Sequence, residues 1–78
     1  MKLTLHIRSL QEGLFSGEID RVRLPGAKGK FEVRWNHSPL ITILNPGEII
    51  YYQDQEEYCI QVGGGIAQVE NNTIYVWL

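Results

Sequence analysis

Apolar and polar residues alternate with a period of two along most of this chain. Leu3, Leu5 and Ile7 alternate with Thr4, His6 and Arg8, and Val22 and Leu24 with Arg21 and Arg23. The pattern returns at Phe31, Val33 and Trp35, at Ile41 and Ile43, at Tyr58, Ile60 and Val62, and at Ile74, Val76 and Leu78. Successive side chains of an extended strand point to opposite faces, so these runs predict half-buried β-strands. Ile49-Ile50-Tyr51-Tyr52 is apolar on both phases, as a central or interface strand would be. No window carries a helical stripe.

Turn formers separate the runs: Ser16-Gly17, Pro25-Gly26, Lys28-Gly29, Pro46-Gly47, Gly63-Gly64-Gly65 and Asn71-Asn72. Each fixes φ or tolerates positive φ, as tight turns require. Gln53 to Tyr58 is polar and reads as a hairpin tip, and Asn71-Asn72 as a two-residue turn into the last strand. The glycine triplet sits within β patterning, not between a strand and a helix as nucleotide-binding loops do. It is therefore expected at a sheet bend or close backbone approach. Short strands at this spacing predict an all-β sandwich or barrel, occupying residues 1–78 as a single domain.

Composition adds bounds more than direction. With 78 residues, 44% hydrophobic and 21% charged, the chain is an ordinary small globular domain that buries only about 60% of its unfolded surface. A net charge of −2 points to neither nucleic acid nor a membrane surface. The distribution says more: residues 1–34 carry all seven basic side chains and stand at +3, and the remainder stands at −5. Such asymmetry either polarises the surface towards a partner or follows from chance in a short chain. One cysteine excludes an internal disulfide and fits a reducing compartment. Lys2 is followed by alternation, not by the apolar core of a signal peptide. No run approaches the roughly 20 residues of a membrane helix, so any membrane association is expected to pass through another protein.

Candidate chemistry is sparse. His6 and His37 are the only histidines, and no close ligand set of three or four Cys, His or carboxylate groups surrounds them, so no metal site is expected. His6 falls on the polar phase of its strand, facing solvent, and His37 is read as fixing a turn before Ser38-Pro39. Cys59 lies between strand formers Tyr58 and Ile60 and beside Glu56 and Glu57, which raise a thiol pKa, so a buried structural thiol is expected. Ser16 and Ser38 lack a His–Asp partner constellation. Catalysis and a cofactor gain no support. Tyr75 and Trp77 lie opposite Ile74, Val76 and Leu78, which leaves them either as an exposed aromatic pair or packed across a strand. Nucleic-acid binding through aromatics is disfavoured, because Tyr51, Tyr52, Tyr58, Tyr75 and Trp77 lie in the acidic part.

One set of spacings is more specific. Leu14-Phe15-Ser16-Gly17, Val22-Arg23-Leu24-Pro25-Gly26, Gly29-Lys30-Phe31, Asn36-His37-Ser38-Pro39-Leu40-Ile41-Thr42, Pro46-Gly47 and Gly64-Gly65 follow in order. This order resembles the N-terminal β domain of the epsilon subunit of F-type ATP synthases, over nearly the whole chain. The resemblance implies a flattened antiparallel β-sandwich of about ten short strands. It implies a non-catalytic part of the central stalk, the rotor, which binds the gamma subunit and sits on the polar loops of the c ring. Ion-driven rotation is thereby coupled to ATP synthesis at the cytoplasmic face of a bacterial inner membrane, without membrane insertion. The alternative class is a generic β-sandwich for protein interaction or small-ligand binding, for which a pocket lined by Tyr51, Tyr52 and Trp77 would speak.

By the same resemblance, Ser9, His37 and Thr42 face gamma, and Lys28, Gly29 and Lys30 approach the ring. Many relatives carry an acid where this chain has Lys30, so an acidic ring loop is the expected compensation. Family members commonly continue into a two-helix C-terminal hairpin that regulates ATP hydrolysis. The residues up to Leu78 are then expected to lack hairpin-mediated inhibition and any nucleotide site built on those helices.

Overall fold

The alternating runs become nine strands in the computed structural model, which describes residues 1–78. They are β1 (Leu3–Arg8), β2 (Gly13–Ile19), β3 (Arg21–Gly26), β4 (Gly29–Val33), β5 (Leu40–Leu44), β6 (Gly47–Gln53), β7 (Glu56–Val62), β8 (Gly65–Glu70) and β9 (Thr73–Trp77). Hydrogen-bonded order is β2-β1-β9-β8-β5-β3-β6-β7, with β4 on the other edge of β3. Between β5 and β3 the ladder thins to the single pair Gly26–Leu44. There the curled sheet folds over itself into two layers, β2-β1-β9-β8-β5 and β4-β3-β6-β7. This is the sandwich expected, with nine strands instead of about ten. One pairing departs from the antiparallel rule: β1 and β9 run parallel, Thr4 opposite Thr73 through Arg8 opposite Trp77.

Burial follows the alternation. Leu3, Leu5 and Ile7 are fully buried, as are Val22, Val33, Ile49, Ala67 and Ile74. Fifteen apolar side chains form one core between the layers, and no polar or charged residue is buried with them. Each large aliphatic side chain removed from water contributes about 1.5–3 kcal/mol, so the core outweighs any surface contact. The ion pairs of Lys2 with Asp20 at 2.6 Å and with Asp54 at 3.5 Å join exposed groups and rank far below it. As expected of a central strand, β6 lies between β3 and β7, with Ile49 and Tyr51 in the core and Ile50 and Tyr52 half-buried on the outer face.

Two phases differ from the expectation. On β5 it is Leu40, Thr42 and Leu44 that turn towards the core, and Ile41 and Ile43 stand 73% and 65% exposed. Both phases of β5 are largely apolar, so alternation alone does not choose between them. Trp35 lies beyond the end of β4 and is exposed. Pro25 and Gly26 do not form a turn; they are the buried end of β3, and the turn is Ala27-Lys28. Proline fits there because β3 has left β6 at Arg23 and meets β5 only at Gly26, so the missing N–H interrupts no ladder on that edge.

The other turns follow their chemistry. Asp54-Gln55 and Asn71-Asn72 close β6–β7 and β8–β9, and all four residues have positive φ, as a two-residue hairpin with strand-matching twist requires. The glycine triplet is a close approach: a Cβ on Gly65 would lie 2.3 Å from the Trp77 carbonyl oxygen, whereas one on Gly63 would meet nothing. Gly65→Ala should therefore cost about 2–4 kcal/mol of stability. Gly63→Ala should stay within about 0.5 kcal/mol. Urea unfolding of the two variants checks the contrast, and equal midpoints would show that the β8–β9 contact is not tight.

Candidate protein-interaction face

The two layers present unlike outer faces. On β4-β3-β6-β7 the outward side chains are mostly charged and engaged with one another. Glu32 is bound by Arg34 and lies 3.4 Å from Arg23, and the guanidinium of Arg21 sits 4.0 Å over the Tyr52 ring. These contacts hold the Glu32 carboxyl below its ordinary range, through the Arg34 hydrogen bond first and against desolvation.

The outer face of β2-β1-β9-β8-β5 is different. His6 accepts or donates a 2.8 Å hydrogen bond at Nδ1 with Ser16 Oγ and stacks on Tyr75 at 5.2 Å. Tyr75 stacks in turn on Trp77 at 6.0 Å, with ring planes 4° apart. Trp77 lies opposite Ile66, which lies opposite Ile43, and Ile41 follows on the same strand. Strand register thus lays out a band that runs from the half-buried His6 on β1 through Tyr75 and Trp77 on β9 and Ile66 on β8 to Ile41 and Ile43 on β5, with Arg8 beside Trp77 and Gln68 beside Tyr75 on the same face. The aromatic pair is the exposed one that the phase of β9 allowed. Interfaces enrich such residues, and contiguous apolar exposure of this kind marks a contact surface more than a solvent face.

The residues singled out from the sequence fall around this face without forming one cluster. Ser9 follows β1 beside the Trp77 end, where its hydroxyl caps the turn to Glu12. His37 stands at the opposite end, in the loop before β5: its N–H donates to the Arg34 carbonyl at 3.1 Å, and its Nδ1 is 2.8 Å from the Ser38 carbonyl. That is the turn-fixing role expected. The neighbouring Asn36 N–H donates to Asn72 Oδ1 at 2.6 Å, which ties this loop to the β8–β9 turn. Thr42 turns to the other side of β5. It shares a shallow concavity of about 300 Å³ with Lys28, Gly29 and Lys30 of the β3–β4 hairpin. The structure therefore joins Thr42 to the lysine hairpin and sets Ser9 and His37 at the two ends of the aromatic row. The row is not legible in the sequence, because both phases of β5 are apolar and alternation does not say that Ile41 and Ile43 face outward.

No pocket unites Tyr51, Tyr52 and Trp77. Tyr51 is in the core, tilted against Phe15 at 4.4 Å, while Tyr52 and Trp77 occupy the outer faces of opposite layers. Cys59 also departs from the expectation, being exposed on β7. The side chains of β7 are largely solvent-facing because it is an edge strand, paired only with β6. The thiol pKa is raised as expected, but chiefly by another acid: the Cys59 thiol donates to Glu48 Oε2 at 2.8 Å, and this bond acts first, followed by desolvation and the charges of Glu48 and Glu57, with no contribution from Glu56.

Residues 2–77 match the family described as ATP synthase, Delta/Epsilon chain, beta-sandwich domain. The chain belongs to this family. Among relatives of this delta/epsilon domain, the ATP synthase epsilon chain of Anaeromyxobacter sp. strain K is 42% identical over 76 residues, which cover 97% of this chain and 58% of that protein. The epsilon chain of Delftia acidovorans is 40% identical, covering 94% and 55%. The chain thus spans little more than half the length of these relatives. Among solved structures, a chain of the Euglena gracilis mitochondrial ATP synthase (OSCP/F1/c-ring) superposes with a TM-score of 0.91 over 97% of this chain and 49% of its own length. A chain of the Tetrahymena thermophila mitochondrial ATP synthase central stalk and c-ring gives 0.80 over 99% and 63%. Both are 16% identical, and the likeness shows that the delta/epsilon sandwich fold is shared.

The Cys59 environment makes a definite chemical prediction. Native protein should react fully with a maleimide at about pH 8 without denaturant, because the thiol is exposed, yet more slowly than the unfolded chain, because the thiolate is disfavoured. Removing the neighbouring charge lowers the thiol pKa, so Glu48→Gln should speed labelling several-fold. An unchanged rate in that variant would remove Glu48 as the cause.

Proposed function

We propose that this domain is a rotor part of the central stalk of an F-type ATP synthase, binding the gamma subunit and contacting the c ring. In this role it couples ion-driven rotation to ATP synthesis and performs no catalysis itself. It works peripherally, at the cytoplasmic face of a bacterial membrane. The observation that carries the reading is the exposed aromatic and aliphatic row on a domain of the delta/epsilon family. Gamma docks on that row, bounded by Ser9 at one end and His37 at the other, with Thr42 on the adjoining edge. The Lys28–Lys30 hairpin, next to Thr42, is the part that meets the ring, so the two contacts adjoin at β5.

The chemistry suits a static contact between subunits. A flat sheet face buries area without rearrangement, and a few central aromatic residues are expected to dominate its energy. A stable contact of standard size covers roughly 1,600 Å² in total.

Calorimetry with the cognate gamma subunit tests the face. Ile43→Arg introduces a charge at a position that is exposed in the free domain, so folding should be unaffected. Binding should weaken by at least about 2 kcal/mol, roughly thirtyfold. Glu56→Arg, on β7 of the other layer, should change it by less than about 0.5 kcal/mol. If the two folded variants bind gamma equally, the wrong face has been assigned. The non-catalytic reading has its own check. Titration with Mg-ATP should show no 1:1 site tighter than about 100 μM, near −5.5 kcal/mol, and phosphate release should not exceed that of buffer.

A further inference from the structure

The outer face of β3 and β4 gathers charge of one sign. Register sets Glu32 opposite Arg23 and Lys30 opposite Pro25, and Arg34 follows in the same phase just beyond β4. With Arg21 that makes four cations around the one acid Glu32, a local sum of +3. Glu32 holds Arg34 by a hydrogen bond and Arg23 at 3.4 Å, both through Nε. Neither arginine meets any other carboxylate. Two guanidiniums carry far more N–H donors than one carboxylate can accept from, so most of those donors are left to solvent. The shared anchor also restricts both side chains, so ordering them around a ligand costs less than ordering two free arginines.

More unpaired charge stands around them. Lys30, like Lys28, has no carboxylate within 4.0 Å. Arg21 rests over the Tyr52 ring at 4.0 Å, and its Nε is buried without a hydrogen-bond partner. Arg23, Lys30, Phe31, Glu32 and Arg34 line a concavity of about 450 Å³. Glu48 borders the adjoining cleft beside Arg23 and Lys30, but its carboxylate is taken by the Cys59 thiol.

We infer that this concavity binds a phosphate-type dianion, with the guanidiniums of Arg23 and Arg34 and the Lys30 ammonium around its oxygens. Arginine forks match phosphate oxygens two at a time, and a lysine adds a point charge beside them. A monocarboxylate would fill one fork and leave the other cations in water. Free phosphate and the phosphate of an anionic lipid headgroup share the required chemistry. The site lies on the layer opposite the aromatic band and shares only Lys30 with the proposed ring contact. Its failure would therefore leave the gamma and ring assignments untouched.

The first probe is sodium phosphate at about pH 7.5, titrated into the isotope-labelled domain at constant ionic strength and followed by amide and arginine Nε–H shifts. Arg23, Lys30, Glu32 and Arg34 should shift together and saturate, with a dissociation constant on the order of 1 mM for groups this exposed. That is weaker than the limit set above for Mg-ATP. Arg23→Gln and Arg34→Gln should each weaken binding at least about fivefold. Arg34→Lys keeps the charge but loses the fork, and should still weaken it about threefold. Arg8→Gln removes an equal charge from β1 and should leave the constant unchanged. The second probe, vesicles of phosphatidylglycerol against phosphatidylcholine, separates the two sources. Retention on phosphatidylglycerol that free phosphate competes away, and that the Arg23→Gln, Arg34→Gln double variant loses, assigns a headgroup. Saturation by phosphate without retention assigns the free ion. Sodium acetate moving the same residues with equal affinity overturns the inference. Shifts that do not saturate, an equal loss in Arg8→Gln, or full binding by folded Arg34→Gln overturn it as well.

Discussion

Packing of two thin layers against each other governs everything else in this molecule. Seventy-eight residues supply one core, of fifteen apolar side chains, and every strand must give one face to it. That requirement sets the phase of each strand, and the phase decides which side chains are left outside. The single Gly26–Leu44 bridge lets one continuous sheet serve as both layers. It also turns the hairpin tip towards β5, and with it the only pair of free lysines. Function here is what the core leaves over.

The two outer faces solve that remainder in different ways. On one layer, arginines and carboxylates on neighbouring strands satisfy one another, and Arg21 rests on Tyr52. Such a face needs no protein to cover it. On the other, His6, Tyr75 and Trp77 stack in a ladder that continues into three isoleucines, with far fewer charges among them. Stacking organises these side chains before any partner arrives, which lowers the entropy lost on association. The charge asymmetry of the sequence reappears in space: β3 and β4 hold five of the basic residues within or just beyond them, and the β6–β7 hairpin holds four of the acids and no base.

Much of this was legible in the sequence, for physical reasons that also explain what was not. Leu3, Leu5, Ile7, Val22, Leu24, Ile74 and Val76 alternate with polar or aromatic neighbours, and all are buried as read. Asn71-Asn72 announced its turn because few residues accept positive φ. Ile41 and Ile43 misled because their neighbours Leu40 and Leu44 are also apolar; only the pairing with β8 decides the phase. Cys59 misled because strand formers beside it say nothing about whether the strand is central or at an edge. Membership of the delta/epsilon family was readable from the order of turn motifs, since turns constrain residue type more tightly than strands do. The parallel β1–β9 pair left no local signal, because it joins positions about seventy residues apart.

That pair has a mechanical consequence. Strands β1 and β9 lie side by side near the middle of their layer and point the same way, so Met1 and Leu78 lie at opposite ends of this strand pair. Tension applied between Met1 and Leu78 would drag β1 and β9 past each other along their length. Five residue pairs would then be loaded together in shear, instead of being peeled apart one rung at a time as in an antiparallel hairpin pulled at its open end. A domain closed in this way is stiff along its own chain direction, and it yields only when the whole central ladder gives at once.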